Sequence, residues 1–74
     1  MTLTVRLFAT LREGRGKELQ MEFPEGATPA DVAGELGIPE KEVAILLVNG
    51  RDGAMDGSLA AGDRVSLFPP VGGG

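Results

Sequence analysis

The sequence predicts an α+β domain in which one short helix crosses one face of a mixed sheet of four or five strands. Three observations carry this. Apolar residues alternate at Leu3, Val5 and Leu7, again at Leu19, Met21 and Phe23, and again at Val65 and Leu67, and a period of two marks a half-buried strand. Helix start and stop signals bracket a single segment, 29–36. Residues 43–48 are apolar throughout, as in a strand covered by the helix on one side and open to a partner on the other.

Taken in order, residues 2–8 form the first strand, with Thr2, Thr4, Arg6 and Phe8 on its polar face. Residues 9–13 break the alternation and Gly14-Arg15-Gly16 reads as a loop tip. With Lys17 this tip has a superficial likeness to a phosphate loop, but it lacks the spacing and leads into no helix. Residues 18–23 return antiparallel to the first strand. Pro24-Glu25-Gly26 is a turn. Thr28 is placed to cap the helix, with Pro29 at the first helical position and Asp31 three residues after the cap, a variant of the capping box. Val32, Ala33 and Leu36 share one stripe, Glu35 faces away, and Gly37 with Pro39 ends the helix. So short a helix is held by packing rather than by its own propensity.

Residues 38–42 read as a polar connector. After the apolar strand come two turn dipeptides, Asn49-Gly50 and Asp52-Gly53, then a weak strand before Gly62-Asp63 anchored only by Met55 and Leu59. Asp52, Asp56 and Asp63 lack the pairing and terminal Glu of a calcium loop and are read as turn residues. Residues 64–68 are the last strand, with Val65 and Leu67 inward and Arg64, Ser66 and Phe68 outward.

Composition narrows the chemistry. The 74 residues include no Cys and no His, which excludes thiol nucleophiles, histidine bases, disulfides and the usual structural zinc sites. Seven basic against eleven acidic residues give a net charge of −4, which disfavours nucleic acid and suits a basic groove on a partner protein. The longest apolar run is too short to span a bilayer and no export signal opens the chain, so a soluble cytoplasmic protein is expected. The groups left for chemistry are carboxylates, hydroxyls and the chain end.

That end stands out. Phe68-Pro69-Pro70-Val71 runs into Gly72, Gly73 and Gly74. The prolines remove two backbone donors and stop sheet pairing on a stiff, extended base. The glycines carry no Cβ, so residues 71–74 read as a flexible tail, separate from a single domain over 1–70, that can enter a channel too narrow for side chains. Four extended residues reach about 13 Å and deliver one reactive group, the α-carboxylate of Gly74. Phe8 and Phe68 are also out of place, each on the polar face of its strand. Were the first and last strands to pair in parallel, both rings would meet at the end of the sheet from which the tail departs. With Pro69 and part of the 45–48 strand they would then form an apolar docking surface. The competing expectation is that the 9–17 loop folds over and covers them.

Taken together, Phe8-Ala9 with Arg12-Glu13, Val48-Asn49-Gly50, Gly62-Asp63-Arg64-Val65 and Phe68-Pro69-Pro70-Val71 before the glycines resemble the MoaD/ThiS sulfur carriers. These have the ubiquitin-like β-grasp fold, and the likeness extends over essentially the whole chain. The first and last motifs look most like the small subunit of molybdopterin synthase. The third glycine of the tail, Gly72, and the plain 50–59 segment depart from the pattern. The resemblance implies parallel pairing of the first and last strands. It implies that Gly74 is the acceptor, that Val71, Gly72 and Gly73 enter a partner's active site, and that Phe8, Arg12, Phe68, Pro69 and Pro70 contact partners.

Those partners would be a ubiquitin-activating-type adenylyltransferase, a sulfur donor system and the molybdopterin synthase large subunit. ATP is used by the activating partner, and the carrier itself binds no cofactor or metal and supplies no catalytic side chain. A thiazole-pathway sulfur carrier, a protein modifier joined through Gly74 to a lysine, and a plain interaction module are the alternatives the sequence leaves open.

Overall fold

A computed structural model describes residues 1–70; the glycine tail expected over 71–74 lies outside the described residues. Strand β1 (Thr2–Leu7) is followed by a 3₁₀ turn (Ala9–Arg12), β2 (Glu18–Glu22), helix α1 (Pro29–Glu35), a second 3₁₀ turn (Glu40–Glu42), β3 (Ile45–Val48), β4 (Arg51–Asp52) and β5 (Arg64–Phe68). The five strands lie in the order β2-β1-β5-β3-β4. Strand β1 pairs parallel with β5, Leu7 opposite Leu67, and the other pairs are antiparallel. The expected mixed sheet with one helix is what forms.

The alternation does its work on the helix side. Leu3, Val5, Leu7, Val65 and Leu67 are fully buried, and Val32 and Ala33 meet them from α1. Burying one such aliphatic side chain is worth about 1.5–3 kcal/mol, which is what holds a seven-residue helix in place. The helix start is as the sequence implied: the Thr28 hydroxyl accepts from the Asp31 N–H, and the Asp31 carboxylate accepts from the Thr28 N–H. At the other end Gly37 takes φ 71° and the Ile38 N–H closes back on the Ala33 carbonyl at 2.9 Å. The Leu36 carbonyl, left over by the helix, accepts from Arg15 Nε at 3.0 Å, so the loop tip at 14–16 is tied to the helix by a cation at its C-terminal end.

Three local expectations are corrected. Residues 38–42 are not simply a polar connector, because the turn after Gly37 drives Ile38 into the core at 4% exposure. The weak strand lies earlier than expected. Asn49 and Gly50 both have positive φ, the geometry of a two-residue hairpin, so pairing resumes at once with Arg51 opposite Val48 and Asp52 opposite Leu47. Residues 54–61 are irregular, though Leu59 and Met55 still anchor them to the core. Ser66 faces away from the helix and yet is buried, since β5 is the central strand and Arg6 and Leu47 flank Ser66 on either side.

The hairpin is locked to the final turn by Asp63. Its carboxylate accepts from the Ala60 N–H at 2.8 Å and from Asn49 Nδ2 at 2.9 Å, while Asn49 Oδ1 accepts from the Arg64 N–H. The Ala60 bond first, then the Asn49 bond, hold the Asp63 carboxyl below its ordinary value of 3.8 against a small opposing effect of burial. A depressed carboxyl stabilises the fold above its unfolded-state value, and that stabilisation is lost as pH falls through the folded-state value. Replacing Asp63→Ala is expected to cost roughly 1–2 kcal/mol at neutral pH. In urea titrations the gap to wild type should close as pH is lowered below 4; a gap independent of pH would show that the charged form is not what the turn uses.

Candidate functional site

The face of the sheet away from α1 has no covering layer among the described residues, and pairing sets it out in rows. Ile45 lies opposite Phe68, and Phe8 follows the Leu7–Leu67 pair. One row therefore reads Phe8, Phe68, Ile45. The next reads Glu18, Arg6, Ser66, Leu47, Asp52. A third holds Gln20, Thr4 and Arg64, with Gln20 Nε2 donating to the Thr4 hydroxyl at 3.0 Å. The apolar row sits at the end of the sheet where β5 runs into Pro69 and Pro70.

Parallel pairing brings the two out-of-place rings together. Phe8 and Phe68 stack with centroids 4.0 Å apart and planes within 9°. The backbone beneath is fixed: Phe8 N–H donates to the Leu67 carbonyl, and the Phe68 carbonyl accepts from Ala44 at 2.8 Å. Both rings and Pro69 are half-buried, Pro70 is exposed, and Ile45 is 51% exposed, the one large hydrophobic side chain so open among the described residues. The 9–17 loop does not fold over this surface. Ala9 takes φ 53°, a left-handed conformation costly for a residue with a Cβ. The chain turns there at the end of β1, sending Leu11 into the core at 2% exposure and leaving Arg12 outside.

Arg12 is positioned rather than loose. Its Nε donates to the Leu7 carbonyl at 2.8 Å and its guanidinium lies 5.4 Å from the Phe8 ring centre; the Arg6 guanidinium lies 5.6 Å from the same ring. Such cation–aromatic contacts contribute about 0.5–1 kcal/mol when exposed. Arg6, Phe8, Arg12, Lys17 and Glu18 line a cleft of about 250 Å³ beside the stacked rings. Charge is unevenly spread over the described residues. Asp31 and Glu35 of α1 and Glu40 and Glu42 beyond it are exposed, whereas at the cleft three cations, Arg6, Arg12 and Lys17, stand against one carboxylate, Glu18. A total of −4 does not report this local excess.

Of the residues singled out from the sequence, Phe8, Arg12, Phe68, Pro69 and Pro70 converge on this end of the sheet. Val71, Gly72, Gly73 and Gly74 lie outside the described residues. Arg6, Lys17 and Glu18 were not singled out. Arg6 had a usable signal, since it shares strand parity with Phe8. Lys17 had none, because its position depends on the Leu7 N–H bond to its carbonyl. Among the described residues no cluster of ligating side chains could hold a metal, and no helix is long and apolar enough to cross a membrane.

Comparison with known proteins places this geometry. The model of the ThiS family matches residues 5–74. The Haloferax volcanii HVO 2177 protein is 34% identical over all of this chain and 87% of its own, with a TM-score of 0.81. A Pyrococcus furiosus protein assigned as molybdopterin converting factor subunit 1 is 32% identical over 96% of this chain and 99% of its own, at 0.76. Small archaeal modifier protein 1 of H. volcanii is 27% identical over 95% and 98%, at 0.78. No curated protein sequence matches the chain significantly.

Substitutions Phe8→Ser and Phe68→Ser each remove one half-buried ring from the stack and are expected to cost about 1–2 kcal/mol, leaving the domain folded. If the stacked rings are a docking surface, binding of a partner protein there should fall at least tenfold, about 1.4 kcal/mol, as read by calorimetric titration. Well-folded variants that bind as wild type would remove the stacked rings from the interface.

Proposed function

The chain belongs to the ThiS family, the ubiquitin-like β-grasp sulfur carriers, and on that premise we propose that its Gly74 carboxylate is the group it carries into chemistry, as the small subunit of a molybdopterin synthase. The observation that supports this reading is the stacked Phe8–Phe68 surface at the point where β5 passes into Pro69-Pro70 and the glycines. A docking surface and a reactive end leave from the same edge.

A carboxylate is ionised at neutral pH, with a reference pKa of about 3.3–3.7, and is a poor electrophile. A ubiquitin-activating-type adenylyltransferase would join it to the α-phosphate of ATP, releasing pyrophosphate. The resulting acyl-adenylate has a good leaving group. A sulfide-level donor then attacks the acyl carbon; the C–S bond forms, the C–O bond to AMP breaks, and AMP departs with the electron pair. The thiocarboxylate so made is nucleophilic and stands on a thread without side chains. It can therefore enter the large subunit's pocket and give its sulfur to a pterin precursor. The carrier's own residues dock and position; the catalytic side chains belong to the partners.

The likeness to the P. furiosus subunit 1 protein and the Phe68-Pro69-Pro70-Val71 motif favour the molybdopterin or tungstopterin branch over a thiazole carrier. A second reading, a protein modifier joined through Gly74 to a lysine amine, is favoured by the likeness to small archaeal modifier protein 1.

Intact mass of the protein from its native host separates these. Exchange of one oxygen for sulfur at the C-terminus is the expected result, while isopeptide-linked adducts would point to the modifier. Deleting Gly73 and Gly74 should leave thermal unfolding unchanged and abolish ATP–pyrophosphate exchange by the activating enzyme. Continued adenylation of the shortened chain would refute Gly74 as the acceptor.

A further inference from the structure

We infer that the cleft between Arg6, Arg12, Lys17 and Phe8 is a carboxylate receptor, and that the protein docking on the open face presents an acidic side chain to it from the rim of an apolar surface. The inference rests on the docking role proposed above and assigns the partner's chemistry at that face.

The geometry of Arg12 carries the argument. Its Nε is committed to the Leu7 carbonyl at 2.8 Å, which fixes the guanidinium plane beside the Phe8 ring, 5.4 Å from its centre. The terminal nitrogens make no hydrogen bond among the described residues, and neither Arg12 nor Lys17 is in an ion pair there; only Arg6 has one, with Glu18 at 3.7 Å. A guanidinium held by one nitrogen and open at its two others offers the fork that a carboxylate fills with two parallel bonds. The cleft, about 250 Å³, has room for a carboxylate and its methylene stem, and the Phe8 ring gives the stem an apolar floor.

The neighbourhood favours a protein over a polyanion. The cleft adjoins the Phe8–Phe68–Ile45 row, and an apolar centre with a charged rim is the anatomy of a protein interface. Glu18 also lines the cleft and would repel a run of phosphates. The net charge of −4 works against nucleic acid over any longer range. At the cleft itself Arg6, Arg12 and Lys17 outnumber Glu18, so an acidic side chain arriving there meets a local cationic excess.

The test is the kinetics of adenylation by the cognate activating enzyme, with carrier as varied substrate. Arg12→Glu is expected to raise KM for the carrier at least tenfold, with most of the loss in KM rather than kcat, and Arg12→Lys to recover part of it. Lys17→Glu, which spares the Arg12–Leu7 bond, should raise KM several-fold even if Arg12→Glu is impaired in folding. Arg51→Glu makes the same change in net charge beside Val48, in register with the helix side, and should shift KM less than twofold. Raising NaCl from 50 to 500 mM, at which the screening length shortens from above 10 Å to a few ångströms, should weaken wild type more than Arg12→Glu.

Equal KM values for wild type, Arg12→Glu and Lys17→Glu, with wild type still adenylated, would overturn the receptor and leave the carrier reading standing. Equal losses in Arg12→Glu and Arg51→Glu would assign the effect to net charge and likewise overturn it. Failure of the wild-type chain to be adenylated would overturn the carrier reading and the receptor with it.

Discussion

The parallel ladder between β1 and β5 is the constraint on which the rest depends. It joins the first strand of the chain to the last, closing the longest loop in the molecule, and entropy opposes that closure until the buried pairs Val5–Val65 and Leu7–Leu67 form. Once that register is set, the positions after it have no freedom. Phe8 and Phe68 must emerge side by side, and the chain beyond Phe68 must leave next to them. A shift of one residue in either strand would turn that strand's ring toward the core and expose its core residues, separating Phe8 from Phe68. Core packing thus fixes surface geometry, and no separate interaction is needed to bring the two rings together.

Much of this was legible in the sequence because a period of two carries burial and facing together. Leu3, Val5, Leu7, Val65 and Leu67 could be placed without the structure, and so could the capped helix start at Thr28, whose partners are three residues away. The partnership of Phe8 and Phe68 could be anticipated only by supposing which strands pair, since nothing local relates positions sixty residues apart. What stayed hidden depends on backbone states that side-chain pattern does not encode. Ala9 in a left-handed conformation converts an apparent loop into an anchor for Leu11 and a mount for Arg12. Asn49 and Gly50 make so tight a hairpin that pairing resumes where a second turn was expected. Ile38 was misread because the closure after Gly37 reverses its direction. Charge is silent for a different reason: a sum over the chain cannot report that Arg6, Arg12 and Lys17 gather at one cleft.

The turns that border the open face at both ends are held by polar bonds as well as by buried anchors such as Leu11. Arg15 ties the tip at 14–16 to the carbonyls of Leu11 and Leu36, and Asn49 with Asp63 ties the hairpin to the last turn. Each uses a side chain to satisfy backbone groups that a small domain has too little core to bury. Gly53 belongs with them: a Cβ there would stand 2.7 Å from Val48 Cγ2, so the absence of a side chain lets the chain leave β4 hard against β3. The open face is in this way bordered by fixed turns, and its rows keep their spacing.

One such face beside one chain end has a kinetic consequence. Under the proposed carrier role, an activating and a receiving enzyme that each use the stacked rings and the adjoining terminus cannot hold the protein at once, and charging and delivery would alternate with full release between them. Throughput is then bounded by the slower departure. Residence on either enzyme would need to outlast its chemical step and little more, since an interface strengthened without limit would leave the protein held on the first enzyme that bound it.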